Sequence, residues 1–214
     1  MSNVGQCRDT NELNKLVKVL LNKALQEIKA KGINPLIVET YRSQERQNFL
    51  YCLGRSITEV TVRGIASSFA TKYCDSKASK VTWTLNSEHK TRKAVDIVPQ
   101  RSVNGKMTAI WNAKDEETKQ IISIMEKYGF EAGANWKTSP DSPHFQIKGN
   151  YVDIFTRNNT NSYITKMIQK ALKITADGSW GDKTDQAVSA FRKKQGYKSS
   201  KPMLGVAALK KLLK

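Results

Sequence analysis

The sequence predicts an α+β fold, a domain with a small antiparallel sheet and helices, followed by an all-α three-helix C-terminal domain. Three observations predict it. An apolar series at helical spacing opens the chain, short β-branched runs with long connections follow, and a polar stretch then introduces a second set of apolar helical patterns.

The first series is Leu13, Leu16, Val17, Leu20, Ala24, Leu25 and Ile28, with Asp9 and Glu12 as an expected capping box and Gly32 as the stop. Leu36 to Thr40 reads as a strand, and Ser43 as the cap of a second helix reaching toward Gly54. Between Arg55 and Lys80 the pattern is weaker, with Val60, Ile65, Phe69 and Tyr73 as one helical face. Two strands are expected at Val81 to Leu85 and at Ala94 to Val98, the second closed by Pro99. Asp115, Glu116 and Glu117 make an acidic first turn for a helix that buries Ile121, Ile122, Ile124, Met125 and Tyr128 and ends at Gly129. Phe145 to Ile147 is a further short strand. The polar run Thr156 to Ser162 reads as a linker, which divides the chain into residues 1–155, a connection at 156–162 and a second domain at 163–214.

Length and composition suit one ordinary domain plus a small one, since the 214 residues are 39% hydrophobic. The formal net charge is +17, of which residues 160–214 carry +9 (12 Lys+Arg against 3 Asp) and the longer first part +8. Such a chain is drawn to polyanions. Nucleic acid is one candidate, but the basic residues are dispersed and no zinc finger or aromatic-rich ribonucleoprotein motif accompanies them, so no specific nucleic acid partner is expected. A merely solvated basic surface is the plain alternative. No run approaches the roughly 20 apolar residues of a membrane span, and Met1 to Asp9 lacks the apolar core of a secretory signal. The product is therefore expected to start in the cytoplasm, as a monomer, and to depend on another agent if its target lies outside. Cys7, Cys52 and Cys74 have no metal-type spacing and are expected to be idle thiols.

The chemistry concentrates on the two histidines. His89 precedes Asp96 by seven positions, on the loop that enters the expected strand, and His144 stands in D-S-P-H-F just before another strand. Two histidines and one carboxylate form a known catalytic zinc set that leaves a fourth position for water. Taken bare, the spacing also fits two ordinary surface histidines.

Further motifs favour the metal. Ser87-Glu88-His89-Lys90-Thr91-Arg92-Lys93-Ala94-Val95-Asp96 resembles the S-x-H-x-x-G-x-A-x-D signature of the zinc D-alanyl-D-alanine carboxypeptidases and of the related L-alanyl-D-glutamate peptidases of phage endolysins. Gly133-Ala134-Asn135-Trp136 is similar to the family's G-G-x-W element, and Asp141 to Phe145 to its acidic-x-x-His-Phe element. Upstream, Tyr41-Arg42-Ser43 and Leu50-Tyr51 to Gly54-Arg55 resemble its Y-R-S and L-Y-x-x-G-R stretches. The resemblance implies Zn²⁺ held by His89, Asp96 and His144, with Asp141 as general base and acid. It also implies Arg42 on a substrate carboxylate or oxyanion and Ser87 orienting the site. An ion pair for Arg42 and a loop cap for Ser87 are the plain alternatives. Glu88 and Glu131 read as solvated carboxylates. One departure is Arg92 in the glycine position, which would be strained if that position is left-handed.

Asp177-Gly178-Ser179-Trp180-Gly181-Asp182-Lys183-Thr184, followed by Ala187, Val188 and Phe191, resembles the core element of small three-helix peptidoglycan-binding domains. Thr184 is expected to cap the helix, and Trp180 either to contact the wall or to plug the core. The implied function is a zinc-dependent hydrolase of bacterial peptidoglycan that cuts the L-alanyl-D-glutamate bond, with the basic face holding anionic wall polymers. A D,D-carboxypeptidase and an inactive wall-anchoring protein are the alternatives.

Overall fold

The computed structural model describes residues 4–149 and 154–214. Asn14 caps helix α1 (Lys15–Ala30) through its side chain, which accepts from Leu16 N at 2.9 Å. The capping box expected at Asp9 is displaced: Asp9 closes only a 3-10 turn over Thr10–Glu12, because Asn14 sits nearer the first buried turn. Leu16, Leu20, Leu21 and Ile28 of α1 are fully buried, each stabilising the fold by roughly 1.5–3 kcal/mol.

Strand β1 (Pro35–Glu39) is followed by α2 (Gln44–Cys52), whose cap Ser43 accepts from Arg46 N at 3.0 Å. Residues 55–80 form a closed excursion holding α3 (Ile57–Thr61) and α4 (Ser67–Tyr73). Tyr51, Cys52, Val60, Ile65 and Ala70 give it a small apolar cluster separate from the main core. Its two ends meet at Gly54, where φ is +73° and a Cβ would stand 2.7 Å from the backbone nitrogen of Lys80.

No strand forms at Val81 to Leu85. Side chains take the place of a neighbouring strand: Gln47 Nε2 donates to Thr84 O at 2.6 Å, and Arg55 to Thr82 O at 2.9 Å. Strand β2 (Ala94–Val103) runs through Pro99 rather than ending there. Pro99 pairs with Pro35 at the first rung of the β1–β2 ladder, where the missing N–H costs no bond, and its carbonyl accepts from Ile110 N. Strand β3 (Lys106–Ala109) completes a hairpin with β2. Asp115 caps α5 (Glu116–Lys127), and β4 (Glu131–Ala132) and β5 (His144–Gln146) follow. The antiparallel sheet has the order β1-β2-β5-β4, with β3 on the far end of β2. Helices α1 and α5 pack on each other and on this sheet.

Strand β6 (Ile154–Phe155) precedes α6 (Ser162–Ala171) and α7 (Asp182–Lys194), then β7 (Leu204–Gly205) leads into α8 (Val206–Leu212). Because β6 pairs with β7, residues 154–155 are tied to the C-terminal helices and not to the main sheet. The stretch 156–162 is a tight turn bridged at Thr156 and Asn159, and Asn161 caps α6 while donating to Lys148 O at 2.8 Å. Ile164, Met167, Ile168 and Leu209 share one apolar cluster with α1 and α5. Gly181, not Thr184, is the cap of α7; Thr184 is buried and accepts from Gln169 Nε2 at 3.2 Å.

Candidate metal centre

Val95 and Ile97 of β2 belong to the main cluster, so strand alternation turns Asp96 to the other face of the sheet. On β5 Phe145 is in the same cluster, which turns His144 and Gln146 to the face of Asp96, and Asp96 pairs with His144 in register. His89 enters from the turn before β2 and is fully buried.

His89 Nε2, His144 Nδ1 and Asp96 Oδ1 form a triangle with edges of 3.0, 3.1 and 3.2 Å. Ligand bonds of about 2.0–2.1 Å in a tetrahedral site put ligand atoms about 3.3 Å apart, so the three atoms make one face of such a site. The protons fit as well. His89 Nδ1 donates to Thr40 O at 2.6 Å, and His144 Nε2 to Gln146 Oε1 at 3.1 Å. That amide is oriented by its own nitrogen, which donates to the acceptor-only Glu131 at 3.0 Å. Both imidazoles therefore turn a lone pair toward Asp96, and the residues fit a divalent metal of the zinc type.

Each corner of the triangle has a support behind it. Thr40 is held by the N-terminal segment, its N–H donating to Cys7 O at 2.8 Å and its hydroxyl to Asp9 O at 2.9 Å. Asp96 lies opposite Glu39 across the β1–β2 ladder, beside a register shift. Two facing carboxylates would repel, and Arg42 Nη2 lies between them, 2.6 Å from Glu39 Oε2 and 3.2 Å from Asp96 Oδ2. Arg42 Nε also donates to Glu39 and Nη1 to Gln47, so four of its five N–H donors are committed inside the protein. Arg46 closes the set on Glu39 Oε1 at 2.9 Å. Ser87 Oγ accepts from His89 N at 3.4 Å, the geometry of a loop cap.

Asp141 is positioned through the backbone. Its N–H donates to Gly133 O at 3.0 Å, and a Cβ on Gly133 would stand 2.5 Å from Asp141 O, so only glycine lets the two segments meet. Trp136 stacks at a tilt on His144 with centroids 5.1 Å apart and donates from Nε1 to Glu131 at 3.0 Å. Burial opposes ionisation of Asp96, but the two histidines outweigh it and hold the carboxyl far below the usual aspartate range. For Asp141, burial raises the carboxyl and the negative charge of Asp96 adds to the rise, against smaller opposing pulls from His144, Arg42 and His89.

Residues 80–147 match the family model described as D-alanyl-D-alanine carboxypeptidase. The match spans 68 residues, about a third of the chain. It contains all three residues of the triangle and Asp141. The L-alanyl-D-glutamate peptidase of Listeria phage A118 is 27% identical over 161 residues, which cover 74% of this chain and 47% of that protein. This chain thus matches about half the length of that relative. Among solved structures, the L-Ala D-Glu endopeptidase ChiX of Serratia marcescens aligns at 22% identity and a TM-score of 0.41, over 67% of this chain and 89% of its own. A vancomycin-resistance D,D-pentapeptidase solved with Zn(II) aligns at 20% and 0.39, over 61% and 69%.

Within the segment that the family model matches, Arg92, the departure from the signature, does adopt a left-handed backbone, with φ of +63°. The conformation costs an arginine about 1–2 kcal/mol. Its guanidinium is engaged, donating to Glu12 O at 2.8 Å and lying over the Tyr41 ring at 4.1 Å, and its N–H still closes the turn on His89 O at 3.1 Å. The glycine-position turn is therefore kept with a larger side chain.

The triangle opens into a cleft of about 830 Å³, lined by Arg42, Ser87, Asp96, Trp136, Asp141 and His144 among others. Trp180 is not among these residues. It is 7% exposed, within the main cluster, and its Nε1 donates to Asp185 at 2.6 Å. Sequence reasoning missed Glu39, Thr40, Gln47 and Gln146. Gln146 had a signal, being two residues beyond His144 on a strand and so on the same face. Glu131, read as a solvated carboxylate, instead anchors Gln146, Trp136 and Lys148.

Proposed function

We propose that the protein is a zinc-dependent peptidase acting on the peptide stem of bacterial peptidoglycan, at the L-alanyl-D-glutamate bond. The observation that carries this reading is the triangle of His89, Asp96 and His144 with both imidazole protons tied back and three ligand atoms converging. A zinc ion held there supplies Lewis acidity toward a scissile carbonyl and lowers the pKa of water. Asp141 takes the proton from the attacking water and passes it to the leaving amine, a role suited to a carboxyl whose affinity for protons is raised. Glu39 and Arg42 keep Asp96 turned toward the histidines, and the remaining Arg42 donor is available to a substrate oxygen. Ser87 holds the turn that carries His89.

Residues 163–214 serve to retain the protein on the wall, in this reading through their basic surface and not through the buried ring of Trp180. No helix among the described residues is long and apolar enough to cross a membrane. The inactive wall-anchoring alternative rested on Arg92, and the retained turn at that residue removes its main support.

The test is digestion of purified cell walls with and without a chelator, with mass spectrometry of the released fragments. Chelator-sensitive release of fragments cut between L-alanine and D-glutamate is the expected result. Release of terminal D-alanine alone would replace the reading with a D,D-carboxypeptidase. Wall binding without any cut would leave only an anchor.

A further inference from the structure

Trp83 and Trp111 are 64% and 57% exposed, yet both line the same cleft as His144 and Asp141. Val81, 56% exposed, lines it beside them. Large apolar side chains left open at the rim of a polar site call for a ligand.

The segment carrying Trp83 is held from beneath by two buried polar side chains. Gln47 is fully buried and donates to Thr82 Oγ1 at 3.1 Å and to Thr84 O at 2.6 Å. Arg55, 6% exposed, donates to Thr82 O and to Tyr51 O and lies over the Tyr51 ring at 3.9 Å. Both residues flanking Trp83 are therefore tied down, and the indole stays largely exposed with Arg55 and Lys80 over its ring at 5.8 and 5.6 Å from the centroid. Carrying the indole on a fixed stretch of backbone reduces the entropy lost when a ligand arrives.

We infer that Trp83 and Trp111 form a saccharide subsite that receives the N-acetylated sugar next to the scissile peptide stem. This rests on the peptidoglycan reading above. A stem of alanine and glutamate has only methyl and carboxylate groups near the cut, which need no broad aromatic platform. A pyranose ring presents a flat C–H face to an indole and a rim of hydroxyl and acetamido groups outward. Neutral polar side chains suited to that rim, Thr84, Asn86, Thr138 and Ser139, line the same cleft.

The experiment compares kcat/KM for one stem peptide, free and attached to the N-acetylglucosamine–N-acetylmuramic acid disaccharide. The wild type is expected to favour the disaccharide-bearing form about tenfold, mainly through KM. Trp83→Ala and Trp111→Ala should bring that ratio toward one, Trp83→Phe should keep part of it, and Val62→Ala, at an exposed residue outside the cleft, should leave it unaltered. A wild-type ratio near one, or alanine variants that keep the full ratio, overturns the subsite. A second measurement needs no cleavage. The peptide-free disaccharide should quench tryptophan fluorescence, which reports on the cleft because Trp180 is buried, and Trp83→Ala should reduce the quench. Quenching without hydrolysis of either peptide would sink the proposed reaction and keep the sugar site. Hydrolysis of both at equal efficiency without quenching would do the reverse.

Discussion

Two buried glutamines, Gln146 on β5 and Gln169 on α6, show what separates a candidate reactive site from a scaffold. Gln146 accepts from His144 and donates to Glu131, and the chain of bonds ends on imidazole and carboxylate lone pairs that converge. Gln169, 2% exposed, donates to Asp177, Ser179 O and Thr184 and accepts from Gly178 N, so its network closes on itself. The two networks are alike in burial and in the residue type at their centre. They differ in where they end: the first aims three acceptors at one point, and the second holds a turn in shape.

The largest effects should come from the open network. His89→Ala or His144→Ala should abolish bound zinc and activity together, read by elemental analysis and by peptide turnover. Full zinc content in either variant would break the comparison, since the chain has two histidines in all. Asp141→Asn should keep zinc but lower turnover by about 10²-fold or more. Loss of zinc from that variant would move Asp141 into the ligand set. Glu39→Gln should weaken zinc affinity, measured by chelator competition, by about 10- to 100-fold, the usual range for a partner behind a metal ligand. Unaltered affinity would mean that Arg42 holds Asp96 without help.

The closed network should respond in stability alone. Gln169→Ala leaves buried partners unsatisfied and should cost about 1–3 kcal/mol by denaturant titration, with zinc content unchanged. The smallest effect concerns Glu27, whose carboxyl is held below its usual range chiefly by the hydrogen bond from Lys127, against burial. A depressed folded-state value means that this stability is present above the unfolded pKa and is lost as pH falls through the folded one. The pair is partly exposed, so Lys127→Ala should remove well under about 1 kcal/mol near neutrality, and less still at high salt.

The same contrast explains what was legible in the sequence. Residues whose role depends on near neighbours were readable: the apolar series of α1, the Ser43 cap, the acidic start of α5, and the convergence of His89, Asp96 and His144 through their local motifs. Glu39 was not, because its meaning comes from lying across a strand ladder from Asp96, 57 positions away in sequence. Val81 to Leu85 looked like a strand because β-branched residues suit one. The distant Gln47 and Arg55 take its carbonyls instead, and nothing local in that run signals them. The polar run at 156–162 looked like a slack connection, and its composition carried no hint that Ile154 and Phe155 would pair with Gly205 and Leu204.

The N-terminal segment has a practical consequence for anyone preparing this protein. Cys7 and Asp9 grip Thr40, and the Thr40 carbonyl sets the ring of His89, so these two residues are two hydrogen bonds removed from the candidate metal site. An affinity handle fused ahead of them would pull on that linkage, whereas one placed after Lys214 adjoins α8, far along the chain from His89. Tag position is therefore a variable of the candidate metal site itself.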